Sequence, residues 1–537
     1  MKKILLFSSV IIFTCYSCRQ TGNEAQVQIQ VQPTSRDTSI KLGTSYSEIF
    51  FDSTQMERFI AGKQMHDSLK KRIRNFYNAR NYQFAWFFQE GMADYASSFY
   101  DAYNDYIAYS QDTSLKNLLL EQLYDSLTNG NFNYNVTDSI VLNTELLLTS
   151  QFFRYTRRAY QGSNQLDAQE LDWFIPRKKI DPSALLDSVL SRKGKNLKEL
   201  EPVNRQYNLL KEYLLKYYEI NKNGSWPYLK ADRKSYKLND SSLLISLIKK
   251  KLFLTGDLAS EDTTAVFTKE LEDGVKSFEK RYGFKEDGII TAMLLNEMNR
   301  PIDERVQQIL INMERIRWVP AEPSTDYLLV NIPEFRLHVY DSGHYSWSTN
   351  VVVGSTANST VIFTGNLKHV VFSPYWNVPS SILKKEVLPG IAKNKNYLAR
   401  HHMEWNGNSV RQKPGPWNAL GQVKFLFPNS YSIYLHDTPS KSLFNEEKRT
   451  FSHGCIRVSE PKKLAQFILR NDANWDSIKI TKAMNAGKEQ FYNVKEPVPV
   501  FIGYFTAWVD RDGKLNFRDD VYGHDKEMKE RLFAKTK

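Results

Sequence analysis

The sequence predicts a multidomain α+β protein with a mainly helical amino-terminal scaffold, a small three-helix module and a β-rich carboxyl-terminal domain. Three observations predict it. At roughly 150 residues per domain, 537 residues exceed what one core organises. Apolar residues keep a helical spacing through the first half of the chain, and from Tyr327 onward they alternate as strands do. A hydrophobic content of 41% and an aromatic content of 13% exclude a disordered chain. A net charge of +12 suits an anionic partner, whether nucleic acid, membrane or cell wall. Three cysteines, Cys15, Cys18 and Cys455, exclude a disulfide framework and a four-thiolate zinc site.

Residues 1–18 carry Lys2 and Lys3, an apolar stretch from Ile4 to Phe13, and small or polar residues before Cys18. That is the pattern of an export signal, too short to span a bilayer of about 30 Å. Ser17-Cys18 resembles the end of a bacterial lipobox, which makes Cys18 a candidate for lipidation, although Cys15 and Tyr16 stand where an aliphatic and a small residue are usual. The expected location is therefore the periplasm or cell envelope, with membrane attachment only through such an anchor. Residues 19–45, rich in Gln, Thr, Ser and Asn, suit a flexible tether.

From 46 to 234 the spacing predicts a helical scaffold. Leu69, Ile73, Phe76 and Tyr77 share one helix face, and Val203, Tyr207, Leu210, Leu214 and Tyr217 share another. The aromatic run through Phe76, Tyr77, Tyr82, Phe84 and Trp86 reads as packing between helices rather than a glycan-stacking surface. Residues 235–300 form a unit of their own: an aromatic helix bearing Phe267, Leu271, Val275, Phe278 and Tyr282, a turn at Gly283, an Asp287-Gly288 turn, and a helix through Leu294, Leu295 and Met298. Pro301 opens a connecting helix across 301–322, with Asp303 and Glu304 where the helix dipole favours acids. Strands are expected in YLLVNIPEFRLHVY, WSTNVVVGS, HVVFSPYWNV and KFLFPNSYSIYLH, a helix near 461–471, and a hairpin around Asp512-Gly513. The β-rich domain is placed at 323–485, and residues 486–537 complete it.

The chemistry concentrates in Ser452-His453-Gly454-Cys455-Ile456-Arg457-Val458, preceded by Leu435-His436-Asp437-Thr438. A free thiol is only about 3% ionised at pH 7, so a cysteine nucleophile needs an imidazole or another positive group beside it. On a strand, Ser432, Tyr434 and His436 share one face, which suits His436 as a base. His453, Cys455 and Arg457 would share a face if extended, with Gly454 marking a turn and N–H groups near Gly454 and Cys455 available to an oxyanion. Each residue read singly has a structural explanation; their coincidence does not. No metal is expected: only one cysteine is near, and His401-His402 have no acidic partner at ligand spacing, so they read as solvent or lid residues.

His436, fifteen intervening residues and then SHGCIRV resemble the signature of the L,D-transpeptidases, the YkuD-type catalytic domain. NMERIRWVP, YLLVNIPEFRLHVY, FSPYWNVPSSI, GPWNALGQVKFLFPN and FTAWVDRDGKLNFRDDVYG resemble the large YcbB-type branch, FYNARNYQFAW and ELDWFIPRKKIDP its scaffold domain, and VKSFEKRYGFKEDGIITAMLLNEMN the small peptidoglycan-binding module. The resemblance implies Cys455 as nucleophile, His436 as base, and His453, Ser452, Gly454 and Arg457 as site-shaping residues. It also implies a substrate-capping insertion at about 375–420, in which Trp376, Asn377, Trp417 and Asn418 contact substrate. The chain has Thr360-Val361 where the family often has Thr-Pro.

The activity so implied is acyl transfer on a peptidoglycan tetrapeptide stem. Cys455 is acylated with release of D-alanine, and an amine of a neighbouring stem then forms a 3-3 crosslink, without cofactor; acylation of Cys455 by carbapenems is implied too. Donor and acceptor stems are the expected partners, with glycan strands at 235–300. Water as acceptor would make an L,D-carboxypeptidase instead. A non-catalytic wall-binding scaffold is disfavoured by the intact Cys455, His436 and Ser452. Nucleic-acid binding has only the net charge behind it.

Overall fold

Asp52 opens the first described helix, Ser53–Ala61, with a reciprocal cap: its carboxylate accepts from Thr54 N, while Gln55 accepts from the Asp52 N–H. The structure is a computed structural model and describes residues 34–533 apart from 42–46, 130–134, 136, 164–165, 168, 178, 196–202 and 320–322. The expected export signal 1–18, Cys18 and most of the tether 19–45 lie outside the described residues. No helix among the described residues is long and apolar enough to cross a membrane.

Two units divide the chain, one drawn from Met1–Ala93 and Leu119–Ser150, the other from Asp94–Leu118 and Gln151–Lys537. The expected scaffold at 46–234 is therefore split between them. In the first unit the helix Asp67–Asn78 buries Ile73, Phe76 and Tyr77, and Phe51 meets Tyr77 and Phe84 edge-on at 5.0 and 5.3 Å. The aromatic run is core, as its spacing predicts. In the second unit the helix Asp94–Ser110 buries Phe99 against Phe152 and Tyr155, and Tyr109 hydrogen-bonds Tyr207 at 2.8 Å. These aromatic contacts take residues 94–110 out of the first unit.

The small module has three helices, Leu243–Thr255, Lys269–Tyr282 and Ala292–Met298. Gly283 ends the second helix in the left-handed region, φ +78°, which glycine adopts without a Cβ penalty. Arg281, buried in an ion pair with Asp257, also donates to the Leu515 carbonyl of the tail hairpin. That hairpin pairs Ala507–Val509 with Leu515–Phe517 around Asp512-Gly513, as predicted. The connecting helix runs Ile302–Trp318, and its Asn312 donates to Thr506 Oγ1 at 2.8 Å.

Nine strands form the sheet of the β-rich domain. They are β1 Tyr327–Asn331, β2 Arg336–Asp341, β3 His344–Gly354, β4 Phe363–Phe372, β5 Val423–Leu426, β6 Leu435–His436, β7 Thr450–Ser452, β8 Ile456–Val458 and β9 Gln490–Gly503. Their order is β7-β3-β8-β6-β5-β4-β9-β1-β2, and β2 also pairs with β3, so the ladder closes on itself. Closure leaves no long free edge. Leu328, Val330, Leu337, Val339, Val351, Val353, Leu435, Ile456 and Val458 fill the core. The tail does more than complete the domain: β9 is a central strand between β4 and β1, so the ring is open without it. Between β4 and β5, residues 375–420 build a small subdomain with its own three-stranded sheet and a core of Val378, Leu383, Val387 and Val410.

Candidate active site

Parallel pairing of β6 with β8 assembles the site. Leu435 lies opposite Ile456, and both are fully buried, so the alternate residues Tyr434 and His436 on one strand and Cys455 and Arg457 on the other share the opposite face. A thiol, a phenol, an imidazole and a guanidinium thus meet on two neighbouring strands. Register is strict here because a shift by one residue would exchange this face for the core face.

His436 is 4% exposed, and its Nδ1 donates to the Asp437 carbonyl at 2.5 Å, which fixes the tautomer and leaves Nε2 as the basic atom. Burial first, then the Arg457 and Lys441 charges, lower its pKa to about 3. The imidazole is neutral at physiological pH and able to accept a proton. Burial pushes the Cys455 thiol up, opposed by hydrogen bonds from Tyr434 and by the Arg457 charge, and Cys455 Sγ lies 3.6 Å from the Ser432 carbonyl. At rest the thiol and the imidazole are therefore both neutral. Burial and the adjacent thiol raise Tyr434, so its hydroxyl stays a donor. Tyr434 was not among the site residues expected; its place two residues before His436 is the signal that marks it.

Ser452 does not face a substrate. Its Oγ donates to the Cys455 carbonyl at 2.5 Å and accepts from Gly454 N at 3.1 Å, bracing the turn that presents the thiol. This corrects the expectation that the Gly454 N–H serves an oxyanion, because that N–H already has an acceptor. Gly454 has φ +110°, a conformation that L side chains rarely adopt. Thr360, at the departure from Thr-Pro, is buried with its Oγ1 donating to the Gly454 carbonyl at 2.8 Å and accepting from Gly354 N at 2.9 Å. The backbone passes directly behind the cysteine turn. His453 is exposed, in contrast to His436.

Asp437 joins this wall to the end of the capping insertion. Its carboxylate accepts from Gln422 N at 2.9 Å, Thr438 N at 2.7 Å and Lys441 Nζ at 2.5 Å. Gly421 fits against it only because it lacks a side chain, since a Cβ there would stand 2.3 Å from Asp437 Cγ. Of the four capping residues, Trp417 is 42% exposed and stacks on His402 at 3.8 Å, Asn377 is exposed and Trp376 is half-buried. Asn418 is different: it is fully buried, its amide donates to the Pro374, Gln412 and Lys413 carbonyls, and it accepts from Leu420 N. The expected substrate contact at Asn418 is corrected to a pin closing the base of the insertion, because no polar atom of its amide is left over. His401 and His402 belong to this insertion, and His402 is exposed, in keeping with a lid position.

Fold and side chains together define a closed β-sheet domain in which a cysteine just before one strand stands next to the strand that ends in a buried histidine. Residues 325–500 match the family of the L,D-transpeptidase catalytic domain, YkuD, and residues 71–214 match the Scaffold domain family. Residues 325–500 are therefore a YkuD-type L,D-transpeptidase catalytic domain by family match. The chain is 30% identical over 243 residues to a Haemophilus influenzae protein named "Putative L,D-transpeptidase", an alignment covering 41% of this chain and 49% of that protein. The chain thus spans about half the length of this relative. Among solved structures, an L,D-transpeptidase from Stackebrandtia nassauensis aligns at 14% identity over 51% of this chain and 98% of its own, with a TM-score of 0.23. L,D-transpeptidase 3 from Mycobacterium tuberculosis aligns at 14% identity over 34% of this chain and 63% of its own, with a TM-score of 0.19.

Proposed function

We propose that the protein is a cysteine-dependent L,D-transpeptidase that acylates itself on a peptidoglycan tetrapeptide stem, releases D-alanine and forms 3-3 crosslinks. The observation that carries this reading is the single face bearing Tyr434, His436, Cys455 and Arg457, with His436 Nδ1 tied to the Asp437 carbonyl. Exported, periplasmic action is part of the proposal.

As Cys455 Sγ approaches the carbonyl carbon of the third stem residue, its proton passes to His436 Nε2 and an S–C bond forms. The Cys455 N–H, which has no acceptor among the described residues, receives the oxyanion. His436 returns the proton to the departing amine as the C–N bond breaks, leaving a thioester and free D-alanine. The side-chain amine of a diamino acid on a second stem then attacks, gives its proton to His436, and the thiol is regenerated. Arg457 has a buried Nε with no hydrogen-bond partner, and it supplies positive charge beside the thiolate and a binding point for a substrate carboxylate.

Purified protein incubated with tetrapeptide muropeptides should yield crosslinked dimers by mass spectrometry. Cys455→Ala should abolish them, and His436→Gln should slow acylation by about 10²–10⁴-fold against a smaller effect of His453→Gln. Tripeptide without dimer would make the enzyme a carboxypeptidase, and absence of both products would sink the enzyme reading.

A further inference from the structure

A cavity of about 1310 Å³ lies away from Cys455, lined by strands β1 to β3, the 444–449 segment before β7, the tail hairpin and the small module. Arg336, Arg449 and Arg518 line it, and their hydrogen bonds go to neutral acceptors. Arg336 donates to Ser348 Oγ and Asn350 Oδ1, Arg449 to the Glu446 and Phe335 carbonyls, and Arg518 to the Arg281, Phe517 and Lys280 carbonyls. Among the described residues, none of the three has a carboxylate within ion-pair distance, and the buried Nε of Arg449 has no partner at all. Two acids lie within their field, and both have partners already: Glu334 is paired with His338 at 2.8 Å, and Asp519, beside Arg518, with Arg300 at 2.8 Å. Burial and mutual repulsion lower both Arg449 and Arg518 to about 10. A cluster of half-buried guanidiniums without ion pairs costs stability unless an anion neutralises it.

The geometry points to a second substrate site in this cavity, where Arg336, Arg449 and Arg518 bind a carboxylate of a sugar-bearing stem peptide. The guanidinium fork matches a carboxylate in a bidentate pair. Tyr345 and Trp508 also line the cavity, with Arg511 over the Tyr345 ring at 3.6 Å and Arg518 over the Trp508 ring at 5.1 Å, so the guanidiniums stand at the aromatic walls. The volume is far larger than a lone small anion needs. Along the chain the cavity is near the thiol: Arg449 is three residues before Ser452, about 10 Å of extended chain. That the peptide comes from the wall rests on the function proposed above; the anion site does not.

The test uses full-length protein whose Cys455 has been acylated by a carbapenem, so that the thiol site is blocked. Acylation, followed by mass, reports on the proposed chemistry, and calorimetric titration of a disaccharide-tetrapeptide reports on the cavity. The acylated protein should bind the fragment, Arg449→Gln and Arg518→Gln should each weaken binding at least about fivefold, and the acylation rate of each should stay within about twofold of the parent. On the unsubstituted protein, which needs no variant to fold, amidating the fragment's carboxylates should abolish binding. Equal binding of the amidated fragment, or none of the free one, would overturn the site. Inorganic phosphate that binds more tightly than the fragment and is displaced by neither variant's loss of charge would overturn the carboxylate assignment. Failure of acylation with retained fragment binding would remove the enzyme reading and leave the site.

Discussion

Arginines that are buried with a carboxylate partner and arginines that are half-buried without one fall in different places in this molecule, and the difference separates architecture from chemistry. Where the small module, the connecting helix and the tail meet, Arg281 pairs with Asp257, Arg305 with Glu297, Arg315 with Asp525, and Arg317 with Glu314. Each charge is cancelled inside the fold. Around the barrel, Arg457 beside the thiol and Arg336, Arg449 and Arg518 in the cavity have neutral hydrogen-bond acceptors or buried donors with none. Folding alone would not favour that arrangement, because a half-buried charge without an ion pair has lost part of its hydration with nothing to offset it. Paired arginines hold elements together, and the unpaired ones are those proposed above to meet a ligand's charge.

The largest expected effect breaks the paired group. Asp257→Ala strands Arg281 without its carboxylate and should cost about 3–5 kcal/mol in urea unfolding. A loss below about 1 kcal/mol would show that the pair is not holding the module to the tail. Removing an unpaired arginine should do the reverse. Arg457→Gln is expected to change stability by less than about 1 kcal/mol while lowering kcat/KM for acylation about 10–100-fold, the worth of one charge-assisted hydrogen bond. If stability fell and activity held, Arg457 would belong with the structural group.

A smaller effect is expected behind the cysteine turn. Thr360→Val leaves the Gly354 N–H and Gly454 carbonyl without their hydroxyl partner and should cost about 1–3 kcal/mol, read as a lowered Tm with slower acylation. The smallest is a predicted flatness. With His436 lowered to about 3 and Cys455 raised, the reactive neutral pair persists throughout the working range, so the acylation rate should not change between pH 5 and pH 8. A limb with an apparent pKa near 6.5 in single-turnover acylation would mean that the imidazole titrates as a solvated histidine does. For stability the sign is as follows: a histidine whose folded pKa lies below its unfolded value contributes stability above about pH 6.5 that is lost as pH falls toward 3. His436→Gln should therefore reduce the acid sensitivity of unfolding over that interval.

Much of this was legible locally. The helical spacing of Ile73, Phe76 and Tyr77, the Asp512-Gly513 hairpin and the alternation around Tyr434 and His436 are consequences of side-chain period alone, and the structure repeats them. Asn418 was not legible, because an asparagine beside an exposed tryptophan looks the same whether its amide faces substrate or three backbone carbonyls. The Gly454 N–H likewise looked free until Ser452 was found folded back on it. The division of residues 46–234 between two units depended on which aromatic helices meet, a question spacing cannot answer.

The sequence by itself determined that an imidazole, a thiol and a guanidinium alternate within five residues, at His453, Cys455 and Arg457, and that His436 ends an alternating strand. Only tertiary structure decided which imidazole is buried and neutral, which wall carries the thiol, and which arginines have a carboxylate opposite them. The physical reason is distance along the chain. Periodicity fixes the face a residue takes on its own element, whereas desolvation and charge pairing depend on partners from far away, as Arg281 finds Leu515 and Arg449 finds Phe335.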